Sequence, residues 1–430
     1  MQKYFDEIVQ SIQESVQFDS SLAPAEPSAP FGAKTKACLE HFLALAKRMG
    51  FETHDYDGYV GEVVFGEGKE FAVLAHLDVV PAGNGWTYPP FGGVIADGKL
   101  YGRGTMDDKG PAVICLYCLK ALKDEGFLPK RKIKLIVGCN EESGWACMEH
   151  YKKVAHLPEE GFTPDADFPV IYAEKGILHL KLAFPISDAP FTYLQGGSAA
   201  NMVCDRVYAL PMPEKHRLER YVNPLPNTAL IEENGRFKGV GVSAHGSTPE
   251  KGANAFGAML RYYAQENTAC QYVYSILFED ALALKDIHDE TGNLTFSPNV
   301  VEWDGQTQTL YVTVDCRIPA THDAKEVTHA LKQAGIAYEV LHEQKPLLND
   351  KDGRLIQTLL RVYNEQTGKN AQPVAIGGGT YARVLPHGCG FGPQELDEEV
   401  TIHQANEYIS LKKIRELSKI YYEALKQISQ

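Results

Sequence analysis

No apolar run in the 430 residues comes near the ~20 positions that a membrane-spanning helix needs, so no such span is expected. Positive charge is short: 42 Lys and Arg stand against 56 Asp and Glu, a formal net charge of −14. That balance argues against a nucleic-acid or anionic-membrane partner. The first residues, MQKYFDEIVQSIQESVQ, lack a basic start followed by an apolar stretch, so no signal peptide is expected. Repeats and low-complexity segments are also missing. Cysteine is sparse, nine residues scattered along the chain, and the odd count predicts reduced thiols and a cytoplasmic protein. Cys115 and Cys118 do form a C-x-x-C, but within ICLYCLKALK, where they read as small apolar residues of a helix.

What is present is the composition of a soluble globular protein, 44% hydrophobic and 23% charged. The length is too great for one ordinary core and predicts two domains. Apolar residues at three- and four-residue intervals predict helices over residues 2–16 and 35–49. Tyr59–Phe65 and Glu70–Ala75 read as strands meeting through the GEGK turn. A helix over Pro111–Glu125, a strand over Lys132–Val137, a helix from Ser143 and a strand over Pro169–Ala173 follow. Such alternation predicts an α/β sheet with a site along its carboxyl edge. After Lys175 the pattern shifts to strands at 178–183, 229–233, 237–242 and 309–317. Helices are expected between and after them at 253–266, 275–284 and 324–334, with a strand at 337–341, an α+β pattern. Helices at 355–367 and 410–428 then resume the first style. The expected fold is therefore α/β: a discontinuous catalytic domain whose mixed, mainly parallel sheet lies between helices, with an inserted α+β lid domain. The expected boundaries are 1–175, 176–344 and 345–430.

The chemistry gathers at predicted strand ends. The run FAVLAHLDVVP stops in His76 and Asp78, which at i and i+2 share one face of an extended chain. One can bind a metal while the other steadies it. Asp107 and Asp108 sit in a turn just before a helix. Glu141 and Glu142 follow a buried strand, where adjacent side chains diverge, so one can bind metal and the other serve as a base. Asp165 and Asp167 precede a strand and alone would be turn formers. His403, in TIHQANEY, alone would be a surface histidine. Together these make a hard N/O donor set without thiolate, suited to zinc, manganese or cobalt in a hydrolytic site. Two metals sharing a carboxylate would hold a water-derived nucleophile and polarise a carbonyl.

HLDVVP, GRGTMDDKGP, NEESG, PDADFP, AHGSTPEKGANA, GGGTYAR and HQANEY occur in this order along nearly the whole chain. Together they resemble the co-catalytic di-metal peptidases of the aminoacylase and glutamate carboxypeptidase family, and in particular its PepV-type bacterial dipeptidases. The resemblance implies two divalent metal ions, zinc favoured and manganese or cobalt compatible. His76, Asp107 and Asp165 would hold one, and Asp107, Glu142 and His403 the other, with Asp107 bridging and its following peptide bond cis. Asp167 and Glu174 are the alternatives to Asp165. Glu141 would be the general base acting on a water bridged between the two ions, and Asp78 would orient His76. His245 would be a lid residue that stabilises the oxyanion, and Asn201 a second polar contact or a turn-capping amide. Arg383 is suited to a two-pronged hydrogen bond with a substrate carboxylate, and Gly377–Gly379 to close backbone approach. The implied activity is hydrolysis of short unblocked peptides with a free C-terminal carboxylate, by a monomer rather than a homodimer. An N-acyl amino acid deacylase or a tripeptidase of the same family is the alternative. A catalytically silent scaffold would predict eroded ligands, whereas every expected carboxylate and histidine is present.

Overall fold

The computed structural model describes all residues, Met1–Gln430. The chain forms two compact units. The first comprises Met1–Tyr172, Asn349–Val374 and Thr380–Gln430, and the second Ala173–Leu348 with Ala375–Gly379.

The first unit opens with helices α1 (Phe5–Val16) and α2 (Ala33–Arg48), each burying one apolar stripe. Strands β1 (Glu52–Tyr56), β2 (Val60–Phe65) and β3 (Lys69–His76) follow, then α3 (Lys109–Asp124), β4 (Arg131–Gly138), α4 (Ala146–Val154) and β5 (Glu160–Thr163). The sheet runs β1–β2–β4–β3–β5, then His387–Gly390, then the strand that starts at Ile171. Parallel pairing is confined to the centre, β4–β3–β5 and on to His387–Gly390, while β1–β2, β2–β4 and the far edge are antiparallel. The expected meeting of β2 with β3 does not occur. The crossover through α3 returns β4 between them, and residues 66–68 are a connection without a hairpin. Central strands are buried on both faces, so Phe71–His76 is fully enclosed, as a parallel sheet between helices requires. Helix Leu411–Ile428 packs on α3 and on Arg354–Thr367. Cys115 and Cys118 are buried on α3, and all nine cysteines are free thiols. No helix is long and apolar enough to cross a membrane.

The second unit is built on an antiparallel sheet in the order 229–233, 236–240, 206–210, 193–196, 295–304, 309–318, 176–185, 337–344. Alternation sets its buried face: Leu178, Leu180, Leu182 and Phe184 point into one core with Val312, Val314 and Cys316. Helices Ala255–Tyr263, Thr268–Phe278 and Ala324–Gln333 supply the rest of that core. The middle helix differs from the expected 275–284. Asn267 caps its start by accepting the Cys270 N–H, and left-handed Asp280 and Ala283 follow its end. Strand Thr295–Asp304 escapes the sequence pattern because a register shift at Pro298–Val300 breaks its alternation.

Candidate metal centre

Adjacent parallel strands deliver most of the site. His76, the last residue of β3, is in register with Gly138, the last of β4. Glu141 and Glu142 leave the carboxyl end of β4 beside it, and Asp165 follows the end of β5 on the other side. Asp107 comes from the loop before α3, and His403 from the loop before the last helix. The Asp107–Asp108 peptide is cis.

The distances bring these side chains to one place. His76 Nε2 lies 3.0 Å from Asp107 Oδ1 and 3.4 Å from Asp165 Oδ2. His403 Nε2 lies 2.9 Å from Asp107 Oδ2 and 3.1 Å from Glu142. Asp107 thus meets an imidazole with each of its oxygens. One ligand atom each from His76, Asp107 and Glu142 lie within 4.8 Å of one another, and so do those of His76, Glu141 and Asp165. Of the acids near 165, Asp165 approaches His76; Asp167 lies in a two-residue strand paired with Pro393–Gln394. Glu174 is buried and belongs to the second unit.

Asp78 works differently from a simple carboxylate support. Its backbone carbonyl is 3.0 Å from His76 Nδ1, while its carboxylate is 3.6 Å away. That carboxylate instead accepts the N–H groups of Glu141 and Glu142 at 3.0 and 3.1 Å. One residue therefore fixes the His76 ring and the turn that carries both glutamates. Asp108 accepts the His76 N–H at 3.1 Å, and the Tyr381 ring stands edge-on to His76 at 6.3 Å. Glu141 accepts a hydrogen bond from Trp145 Nε1 at 3.0 Å.

Five carboxylates around two imidazoles strain the local charge balance. Burial, then the charges of Asp165 and Glu142 against the pull of His76, pushes Glu141 up to about 8. Burial also raises Glu142, against the His403 hydrogen bond, and raises Asp165, with Asp107 adding to it. Hydrogen bonds to Asp107 and Glu142 push His403 up to about 10. Burial opposes charge on His76, but contacts with Asp107, Asp165 and Asp78 outweigh it and raise the imidazole. Asp107 is buried, yet hydrogen bonds from His403 and His76 pull it below the usual carboxylate range. The buried His76 Nε2 makes no aligned hydrogen bond despite its acidic neighbours. An orphaned ligand nitrogen inside a ring of carboxylates, without a thiolate donor, fits divalent cations.

In the second unit, His245 Nδ1 accepts the Ser247 N–H at 3.2 Å and lies 2.7 Å from Ser247 Oγ. In the neutral ring that contact leaves the proton on Nε2. Partial burial and then the Arg317 guanidinium push the His245 pKa down, which favours the neutral ring. Asn201 and His245 are neighbours, since the Gly246 N–H donates to the Asn201 carbonyl at 2.7 Å. Beneath this loop Arg317 grips Asp315 through two hydrogen bonds of 2.8 Å and reaches the Gly377 carbonyl at 3.3 Å. Gly379 follows in the same short segment, whereas Arg383 lies in the turn Tyr381–Val384 of the first unit. Sequence reasoning missed Trp145, Asp108, Glu407 and the Asp315–Arg317 pair. The doubled aspartate and the HQANEY motif flagged two of them; nothing local marked the others.

A parallel sheet whose carboxyl edge gathers two imidazoles and several carboxylates around one bridging aspartate defines a metallohydrolase. The family model described as Peptidase family M20/M25/M40 matches residues 72–427, and the chain belongs to that family. It is a metallopeptidase. The chain is 34% identical to "Putative dipeptidase YtjP" of Bacillus subtilis (strain 168) over 456 aligned positions, covering 99% of this chain and 97% of the relative. It is 32% identical to "Putative dipeptidase SSP1012" of Staphylococcus saprophyticus, with 99% and 97% covered. Human carnosine dipeptidase 1 has the same fold, with a TM-score of 0.60 at 14% identity over 100% of this chain and 97% of that one. So does the Saccharomyces cerevisiae di-peptidase Dug1p, with a TM-score of 0.60, 14% identity and the same coverage.

Proposed function

We propose that the protein is a cytoplasmic, monomeric dipeptidase that cleaves short unblocked peptides. Two divalent ions, zinc first among them, would be held by His76, Asp107 and Asp165 and by Asp107, Glu142 and His403. The observation that carries this reading is the approach of both imidazoles to one aspartate, at 3.0 and 2.9 Å. Bound there, such ions supply Lewis acidity and lower the pKa of water.

The remaining work falls to side chains. Glu141 takes the proton of the attacking water and returns it to the leaving amine, a task open to a carboxylate that stands beside His76 and Asp165. Asp78 keeps the His76 ring and the Glu141–Glu142 turn in register. His245, with its Nε2 proton, donates to the developing oxyanion, a contact worth about 3–4 kcal/mol. Asn201 adds a polar contact beside it, and Gly379 allows close approach of the backbone. Arg383 receives the substrate's C-terminal carboxylate. The relatives named as dipeptidases support the substrate class.

The test is a panel of unblocked dipeptides, tripeptides and N-acetylated amino acids on chelated protein, then on protein reloaded with zinc, manganese or cobalt. Hydrolysis of the unblocked dipeptides, lost on chelation and restored best by zinc, is expected. Turnover of only the acetylated set, or only of tripeptides, replaces the dipeptidase with a deacylase or a tripeptidase.

A further inference from the structure

Glu407 lies four positions after His403 and touches neither imidazole, yet it is completely buried and multiply engaged. Its Oε1 accepts the backbone N–H groups of Gly104 and Met106 at 3.0 Å each and of Asp107 at 3.3 Å. Its Oε2 accepts from Arg103 Nη1 at 2.7 Å, and Arg103 is itself buried. The Glu407 carbonyl takes the Gly102 N–H at 3.0 Å, so contact with segment 102–107 involves both backbone and side chain. Next to it, left-handed Asn406 accepts the Thr87 N–H at 2.7 Å. His403 is also left-handed, so its ring is aimed by a loop whose far end is pinned through Asn406 and Glu407.

We infer that Glu407 is a positioning residue: its one carboxylate registers the loop of Asp107 against the loop of His403 and so sets the ligand geometry at the ion they share. Three N–H groups converging on one oxygen fix the backbone just before Asp107, and the Arg103 ion pair satisfies the other oxygen in a buried setting. A carboxylate buried in this way persists only where its partners compensate it. Outer partners of this type change metal affinity by about 10–100-fold when removed.

The inference rests on the metal-site reading, and the experiment separates the two. Metal-free protein is titrated with zinc and with cobalt, reading affinity by calorimetry and coordination by the cobalt visible spectrum. If the unsubstituted protein binds neither ion, the metal-site reading itself fails. If it binds, Glu407→Ala is expected to weaken one of the binding steps, that of the ion shared by Asp107 and His403, about 10–100-fold and to alter the cobalt spectrum. Glu407→Gln keeps an acceptor for the three N–H groups but loses the charge facing Arg103, and is expected to fall between. Glu62→Ala is the control for general destabilisation: Glu62 is buried on β2, where it accepts from Tyr151, away from the ligand loops. It is expected to lower the melting temperature with metal affinity unchanged. Should Glu407→Ala not fold, Glu407→Gln carries the test alone. Affinity and spectrum unchanged in a folded Glu407 variant, or equal affinity loss in Glu62→Ala, would overturn the positioning role.

Discussion

Glu141 is held at both ends: its N–H is fixed on Asp78 and its carboxylate on the Trp145 indole. In the metal-free chain burial pushes its carboxyl up to about 8, and it stands beside His76 and Asp165, where a base can reach a proton of the attacking water. Glu141→Gln is therefore expected to lower kcat by about 10²–10⁴-fold and to leave the bound metal content unchanged. A variant within tenfold of the parent in steady-state assays would remove Glu141 from the base role. At this scale the sequence revealed residues whose chemistry sits beside its own motif. His76, Asp107 and the Glu141–Glu142 pair were legible because strand periodicity and a turn before a helix limit where their side chains go. The supporting partners were not legible. Asp78 uses its carbonyl on His76 and its carboxylate on a turn 63 residues away, and Glu407 reaches Asp107 across 300 residues. Contacts of that separation are made by tertiary packing, which a single sequence does not encode locally.

Strands and helices were legible where one period ran unbroken, as in the alternation of Gly176–Pro185 or the stripe of Leu411–Ile428. They were lost where a bulge reset the period, as in Thr295–Asp304. The loop Ala244–Ser247 shows what an element boundary can impose. Gly246 lies against the buried carboxylate of Asp315, and a Cβ there would stand 2.2 Å from Asp315 Oδ2. Gly246→Ala must therefore push the His245 loop or the Asp315–Arg317 pair out of place, at a cost of about 1–3 kcal/mol. Because the proposed metal ligands lie in the other unit, it is expected to leave metal affinity intact while kcat falls, by as much as about 10²-fold for a displacement near 1 Å. Parallel calorimetry and kinetics check this. Unchanged kcat would dissociate His245 from turnover, and lost metal affinity would show that the two units' roles do not separate this way.

For the whole molecule, the change of pattern near residue 175 reveals an insertion, because a helix-covered parallel sheet and a one-sided antiparallel sheet write different hydrophobic periods. The segment Ala375–Gly379, which returns to the inserted unit after Asn349–Val374, leaves no such mark. Five residues are too few to show a period. It joins through backbone contact instead: the Gly377 carbonyl is bound by Arg317, and a Cβ on Gly377 would lie 3.2 Å from the Ser247 carbonyl.

The charge of the site also reaches the stability of the whole fold. In the metal-free chain Glu141 is raised from 4.5 to about 8, and Glu142 and Asp165 are raised as well. A carboxyl whose folded pKa exceeds its unfolded one holds its proton more tightly when folded, so it favours folding below the unfolded value. That advantage is lost as pH rises through the folded value. His403, raised from 6.5 to about 10, has the same sign: its contacts with Asp107 and Glu142 favour folding below 6.5 and fade on the way to 10. Asp107 is lowered and has the opposite sign, but its effect falls below 3.8, outside this window. Metal-free protein should therefore lose melting temperature as pH rises from about 4.5 to about 10. A divalent cation must displace those protons, so its binding should tighten over the same interval and release about one proton or more near neutrality. Calorimetric titration in two buffers of different ionisation enthalpy reads the protons directly, and thermal melts with and without zinc read the slopes. A metal-free melting temperature that rises with pH, or zinc binding without proton release, would mean that the carboxylate ring is already ionised in the folded chain.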